Sequence, residues 1–185
     1  QPWDALVYHF TSRGSRFNKY SGGAAGKNSQ EWIHTTTKNG RNFIRKWGHF
    51  INHDPLMKPI IHPKYDIGLI IKNCNSKILK ALEPWCNTIY VDEGNVPTLI
   101  KNYIDKEQPN TIMDLNERVK PFDNEKNNEI LVTVDGADFD EQDFIIIQQL
   151  SSIIKDSGEV GEFQLGNIFI SIVNLNEYQN DLIKL

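Results

Sequence analysis

The chain has 185 residues, a net charge of −4 and 39% hydrophobic residues, which suits one globular domain or one domain plus an arm. No apolar stretch approaches the roughly 18 residues needed to span a bilayer, so a membrane partner is not expected. The charge is uneven. Residues 1–64 carry a net +7 and all five histidines, whereas residues 65–185 carry −11. Such asymmetry suggests two functionally different segments, the first suited to an anionic partner. Nucleic acid is not favoured, because the overall balance is acidic and no nucleic-acid module is recognisable.

The amino end, QPWDALVYHF, lacks the basic-then-apolar layout of a signal peptide and does not begin with Met. A strand-like run, Ala5 to Phe10, starts almost at once, so a missing upstream part is expected. The next stretch, TSRGSRFNKYSGGAAGKNSQ, is rich in Gly, Ser, Asn and basic residues and reads as a loop. A helix is expected within Glu31 to Asn52, with Phe43, Trp47 and Ile51 on one face at i, i+4, i+8 spacing. Pro55, Pro59 and Pro63 make Asp54 to Lys64 an extended connector, and the domain boundary is placed there, giving segments 1–63 and 64–185.

Tyr65 to Glu93 then reads as strand, turn, helix, strand. Ile67 to Ile71 is a β-branched run fit for a strand buried on both faces. Asn73 and Asn75 break it, Ser76 can cap a helix, and Ile78, Leu79 and Leu82 share that helix's apolar face. Pro84 ends the helix, and Thr88 to Val91 is the second strand. A helix capped by Asn95, with Pro97 in its first turn, carries Val96, Leu99, Ile100, Tyr103 and Ile104 on its apolar stripe. Thr111 to Leu115 is read as a short strand and Arg118 to Asn128 as a polar loop. Glu129 to Val134 is a further strand. The helix after it runs roughly from Glu141 to Lys155, with a stop at Ser157-Gly158. Glu162 to Val173 contains a last strand, and Glu177 to Lys184 a short final helix. The expected architecture is α/β: a three-layer Rossmann-like module with a basic amino-terminal arm. Cys74 and Cys86 show no metal-ligand spacing and read as reduced thiols of a cytoplasmic protein.

In open α/β sheets, ligands collect at the carboxyl ends of the strands. That directs attention to Lys72 to Asn75, to Asp92, and to Asp135, Asp138 and Asp140. Acidic residues beyond buried strands can hold a hard divalent cation that a nucleoside diphosphate completes. They can equally cap helices and fill turns, as Asp140 would. Arg13, Arg16, Lys19 and Lys27 could wrap phosphates, although the G-x-x-x-x-G-K-[ST] pattern is absent. No Ser-His-Asp, Cys-His or H-E-x-x-H arrangement is present.

The amino part, DALVYHFTSRGSRF followed by NFIRKWG, resembles the carboxyl-terminal end of the catalytic domain of GT-A family 2-type glycosyltransferases. Such domains finish with a strand ending in a histidine, a basic loop, and a helix carrying a K-W-G-like motif. The matching residues are His9 and Lys46-Trp47-Gly48. The resemblance implies a metal-site role for His9 and phosphate-facing roles for Arg13 and Arg16. The later stretches IGLIIKNCN…TIYVDEG and ILVTVDGADFD are similar to the strands that hold the nucleotide and the acidic metal motif in that family. They implicate Asn73 in nucleotide binding, Asp92 and Asp135 in catalysis, and Asp138 in metal binding. The implied cofactor is Mn²⁺ or Mg²⁺, and the implied substrate a nucleoside-diphosphate sugar. Two departures are evident: about 120 residues is short for a whole domain of this kind, and Glu-Gly follows Asp92 where a second Asp is expected. The alternative expectation is a non-catalytic α/β module that forms a homo-oligomer or assembles with a missing upstream catalytic domain.

Overall fold

The computed structural model describes residues 30–50, 52–92, 94 and 98–176. The chain divides into residues 1–40 and 41–185. Helix α1, Gln30–Trp47, runs through that division, and the second unit begins at Arg41. The predicted strand at Ala5 to Phe10, the basic loop and the final helix lie outside the described residues.

The second unit is an α/β fold built on a six-stranded sheet. In chain order its elements are β3 (Ile67–Lys72), α2 (Ser76–Leu82), β4 (Thr88–Val91), α3 (Leu99–Glu107), α4 (Leu115–Arg118), β5 (Val119–Pro121), β6 (Ile130–Asp135), α5 (Glu141–Ser157), β7 (Gly161–Leu165) and β8 (Ile168–Ile172). Ahead of them, β1 (Asn52–His53) and β2 (Pro59–Ile60) pair as a small antiparallel hairpin in the stretch read as an extended connector. The sheet order is β5-β4-β3-β6-β8-β7. β5, β4, β3 and β6 are mutually parallel, and β8 runs antiparallel to both its neighbours.

The β-branched run of β3 is buried at every position from Ile67 to Ile71, as a central strand covered on both faces must be. From β3 the chain first moves towards β4 and β5, then returns to place β6 on the other side of β3. Right-handed crossovers in opposite directions put their helices on opposite faces of the sheet. The core joins Leu69, Ile71, Ile89, Val132 and Val134 of the strands to Leu79 and Leu82 of α2 and to Leu150 and Ile154 of α5.

The helix ends follow local chemistry. Asn75, rather than Ser76, caps α2: its side chain accepts from the backbone N–H groups of Lys77 and Ile78. Asp140 caps α5 in a reciprocal capping box with Asp143, and Gly158 ends it at φ +62°. α3 begins after Thr98.

Three expectations need correction. Thr111 to Leu115 is not a strand: Ile112 is fully exposed, and Leu115 opens α4. The parallel strand is β5, inside the stretch read as a loop, where Val119 pairs with Ile89. Glu162 to Val173 holds two strands, β7 and β8, which turn at Gly166-Asn167 between the paired Leu165 and Ile168.

A buried ion network ties the last turns of α1 to the turn after α2 and to α3 and α4. Arg45 is 1% exposed and Glu83 is fully buried. The Arg45 guanidinium donates to Glu83 Oε2 at 2.7 Å and to Glu107 Oε1 at 2.7 Å. Arg118 Nε donates to Glu83 Oε1 at 2.8 Å, and Arg41 Nε to Glu107 Oε1 at 2.7 Å. Tyr103 donates its hydroxyl to Glu83 Oε2 at 2.9 Å. The Lys46-Trp47-Gly48 stretch forms the end of α1. Gly48 sits at φ +78°, its N–H reaches Ile44 O at 2.7 Å, and Lys64 Nζ caps the Arg45 and Lys46 carbonyls.

Candidate functional site

The strand order reverses direction between β3 and β6, which is where an open parallel sheet leaves a crevice beyond its strand ends. Three segments meet at that edge. β3 ends in Lys72-Asn73. Lys72 is paired in register with Asp135, the last residue of β6. On the other side, Asp92 N donates to Ile71 O at 3.0 Å, continuing the β4 ladder to the same level. Asp92, Lys72 and Asp135 therefore form a row across three strands. Their outer members are separated by two strand spacings, roughly 10 Å.

Asn73 locks part of this row. Its backbone adopts φ +48°, a region in which Asn is enriched among non-glycine residues. The turn brings its side-chain amide to Asp135 Oδ1, where Nδ2 donates at 2.9 Å. The same oxygen accepts from Ala137 N at 2.9 Å. Gly136 permits the approach: its N–H donates to Lys72 O at 2.8 Å, and a Cβ there would lie 2.7 Å from Asn73 O. The Asn73 amide, then the Ala137 N–H, hold the Asp135 carboxyl below the usual carboxylate range. Asp135 is thereby kept ionised and is a poor proton acceptor. Replacing Asn73 with Ala is expected to raise the Asp135 titration towards the ordinary carboxylate range. A carbon-detected NMR titration of the Asp135 carboxyl checks this, and an unchanged midpoint would refute the role given to Asn73.

Asp92 accepts from Gly94 N at 3.0 Å through Oδ1. Cys74 lies between β3 and α2, and burial pushes its thiol up to about 12, with the Asp92 charge adding to the effect. Cys86 is likewise pushed up to about 12 by burial. Both cysteines are free and buried, consistent with the reading as reduced thiols.

The structure thus brings together Asn73, Asp92 and Asp135 of the predicted site residues. Asp138 is exposed at the turn after β6, and its backbone N–H reaches Asp135 O at 3.3 Å. Asp140 is a helix cap. His9, Arg13 and Arg16 lie outside the described residues. Lys72 lies in the stretch that strand-end logic pointed to, but its place between two carboxylates depends on strand order. Among the described residues no group of three or more His, Cys, Asp or Glu could hold a metal ion. Asp135 has already committed one oxygen to two N–H donors, and a lysine shares its row. The described residues therefore do not fit the divalent cation implied by the resemblance.

No family model, curated protein or solved structure matches the chain. Among the described residues no helix is long and apolar enough to cross a membrane.

Proposed function

We propose that this chain is part of a glycosyltransferase-like protein whose β3–β6 crevice takes the nucleoside diphosphate of a sugar nucleotide. The observation that carries this reading is the Asn73–Asp135 hydrogen bond at the point where strand order reverses. It sets an ionised carboxylate and an amide at the strand ends, the kind of donor–acceptor pair that can fix a ribose or sugar hydroxyl. The Lys72 ammonium, in the same row, supplies positive charge for the diphosphate. In the complete reaction the acceptor oxygen bonds to the anomeric carbon as the bond from that carbon to the diphosphate oxygen breaks. The diphosphate leaves with the electron pair, and the acceptor hydroxyl proton passes to a carboxylate. We assign that role to Asp92, since the two donors on Asp135 lower the proton affinity of the Asp135 carboxylate.

Calorimetric titration of uridine and guanosine diphosphates, with and without Mn²⁺, tests the reading. Binding is expected, and Asp135→Ala or Asp92→Ala should weaken it at least tenfold, about 1.4 kcal/mol. Silence from well-folded protein under all conditions would sink the proposal. It would leave a non-catalytic, self-associating interaction module in front, a reading favoured by the exposed Leu56, Met57 and Ile61 near the β1–β2 hairpin.

A further inference from the structure

A cavity of about 460 Å³ lies away from the Asp92–Asp135 edge, between the hairpin segment and α5. α5 starts just beyond the carboxyl end of β6 and runs back across the sheet, so its last turns approach the opposite edge. Gln148, Ser152 and Asp156 line the cavity at i, i+4, i+8 spacing and form one stripe along α5. Across from them are Asn52, His62 and the ring of Phe50.

Apart from Asp156, the described walls are uncharged amides, hydroxyls, rings and histidines. His49 is 7% exposed, with both ring nitrogens engaged. Nδ1 lies 2.7 Å from Phe50 O and so carries the proton, and Nε2 accepts the His62 backbone N–H at 3.3 Å. The His62 ring meets His49 edge-on at 5.0 Å. Burial, then His49 and Lys155, lower the proton affinity of His62, and Asp156 opposes them. Among the described residues neither lysine nor arginine lines the cavity. A phosphate or carboxylate ligand would meet no lysine or arginine among the described lining residues and would face Asp156. That carboxylate occupies the last turn of α5, the end at which the helix dipole disfavours negative charge.

What the walls do offer is paired hydrogen bonding. Amides and hydroxyls at Gln148, Asn52 and Ser152 each donate and accept, and Asp156 accepts. Phe50 is half exposed, with its ring tilted edge-to-face against Trp85 at 5.3 Å. A ligand with many hydroxyls and an apolar ring face matches this set. From these features we propose that the cavity binds a neutral saccharide of one or two rings. The volume falls in the range of small-ligand sites. This inference stands apart from the reading of the β3–β6 crevice and does not depend on it.

The test is saturation-transfer NMR on the full chain with N-acetylglucosamine, glucose, galactose and maltose, with uridine and inorganic phosphate as comparison probes. At least one sugar is expected to bind with a dissociation constant on the order of millimolar. Gln148→Leu should weaken that binding at least tenfold. Asp156→Ala, at an exposed helix end where folding is not at stake, should weaken it severalfold. Absence of signal from all four sugars overturns the proposal. So does sugar binding that survives both substitutions, or preferential binding of uridine or phosphate that both substitutions abolish.

Discussion

Replacing Glu83 with glutamine is expected to lower the unfolding free energy by about 3–5 kcal/mol. The Glu83 carboxylate is fully buried and accepts from Arg45, Arg118 and Tyr103, with Arg41 Nη2 at 3.4 Å. The amide variant keeps the shape and removes the charge. Arg41 and Arg45 would then share Glu107, and Arg118 would keep only the Glu83 and Cys86 carbonyls. A buried cation stripped of its partner costs more than the pair contributed, because its desolvation is no longer offset. Lys120→Ala provides the contrast. It breaks a pair with Glu117, whose side chain is 76% exposed, and should cost no more than about 1 kcal/mol. Urea denaturation of both variants decides the matter. A loss below about 1 kcal/mol for the Glu83 change would mean that the network relaxes or takes in water.

The same network sets an acid limit. Burial pushes the Glu83 carboxyl upwards, but the Arg45 hydrogen bonds and the Arg118 charge outweigh it and hold the group below its ordinary value. Glu107 is lowered in the same way, chiefly by Arg45 and Arg41. A carboxylate with a depressed folded-state titration stabilises the fold above its unfolded value, about pH 4.3, and loses that contribution as pH falls through the folded value. Acid unfolding should therefore steepen below about pH 4 and flatten in the Glu83→Gln variant.

Replacing Gly136 with alanine is the second large effect. The added methyl would lie 2.7 Å from Asn73 O, 3.1 Å from Lys72 O and 3.0 Å from Ile78 Cδ1. Two of these atoms are backbone, and the Gly136 N–H is itself bonded to Lys72 O. The β3 end cannot move without breaking the ladder or disturbing α2. Overpacking of this kind costs about 1–3 kcal/mol. The Asn73–Asp135 bond should be lost with it, and any diphosphate affinity should fall. A melting temperature and an Asp135 titration both unchanged would show that the strand ends have slack not evident in the structure.

Much of the fold could be read from single segments. β3, β4 and β6 are short β-branched runs bounded by polar turns, and the Asp140 cap and Gly158 stop follow from helix-end chemistry. The misses came from elements whose identity depends on partners. β5 is three residues long, and what makes it a strand is the β4 edge beside it. Ile112 looked like a strand residue but points into solvent. The Gly166-Asn167 turn did carry a local hairpin signal that a single-strand reading overlooked. At the candidate site, Asp92, Asn73 and Asp135 could be named from strand-end logic. Lys72 fell in the same stretch, but its place between Asp92 and Asp135 follows from strand order and could not be read from that stretch. The cavity beside α5 was equally hidden, because Gln148 and Asp156 meet His62 only in three dimensions. Arg45 was invisible for a different reason: arginine is almost never buried without a partner, and its partner lies 38 residues away.

The two borders of the sheet are guarded unequally against other chains. β5 is brief and finishes in Pro121, which has no N–H to offer an incoming strand. β7 is five residues long, with one lateral row of backbone groups paired to β8 and the other facing outward. Its protection rests on the charge of Glu162 and the polarity of Gln164. Misassembly by strand addition should thus begin at β7, and aggregation should depend more on what happens at Glu162 than on any change in the core.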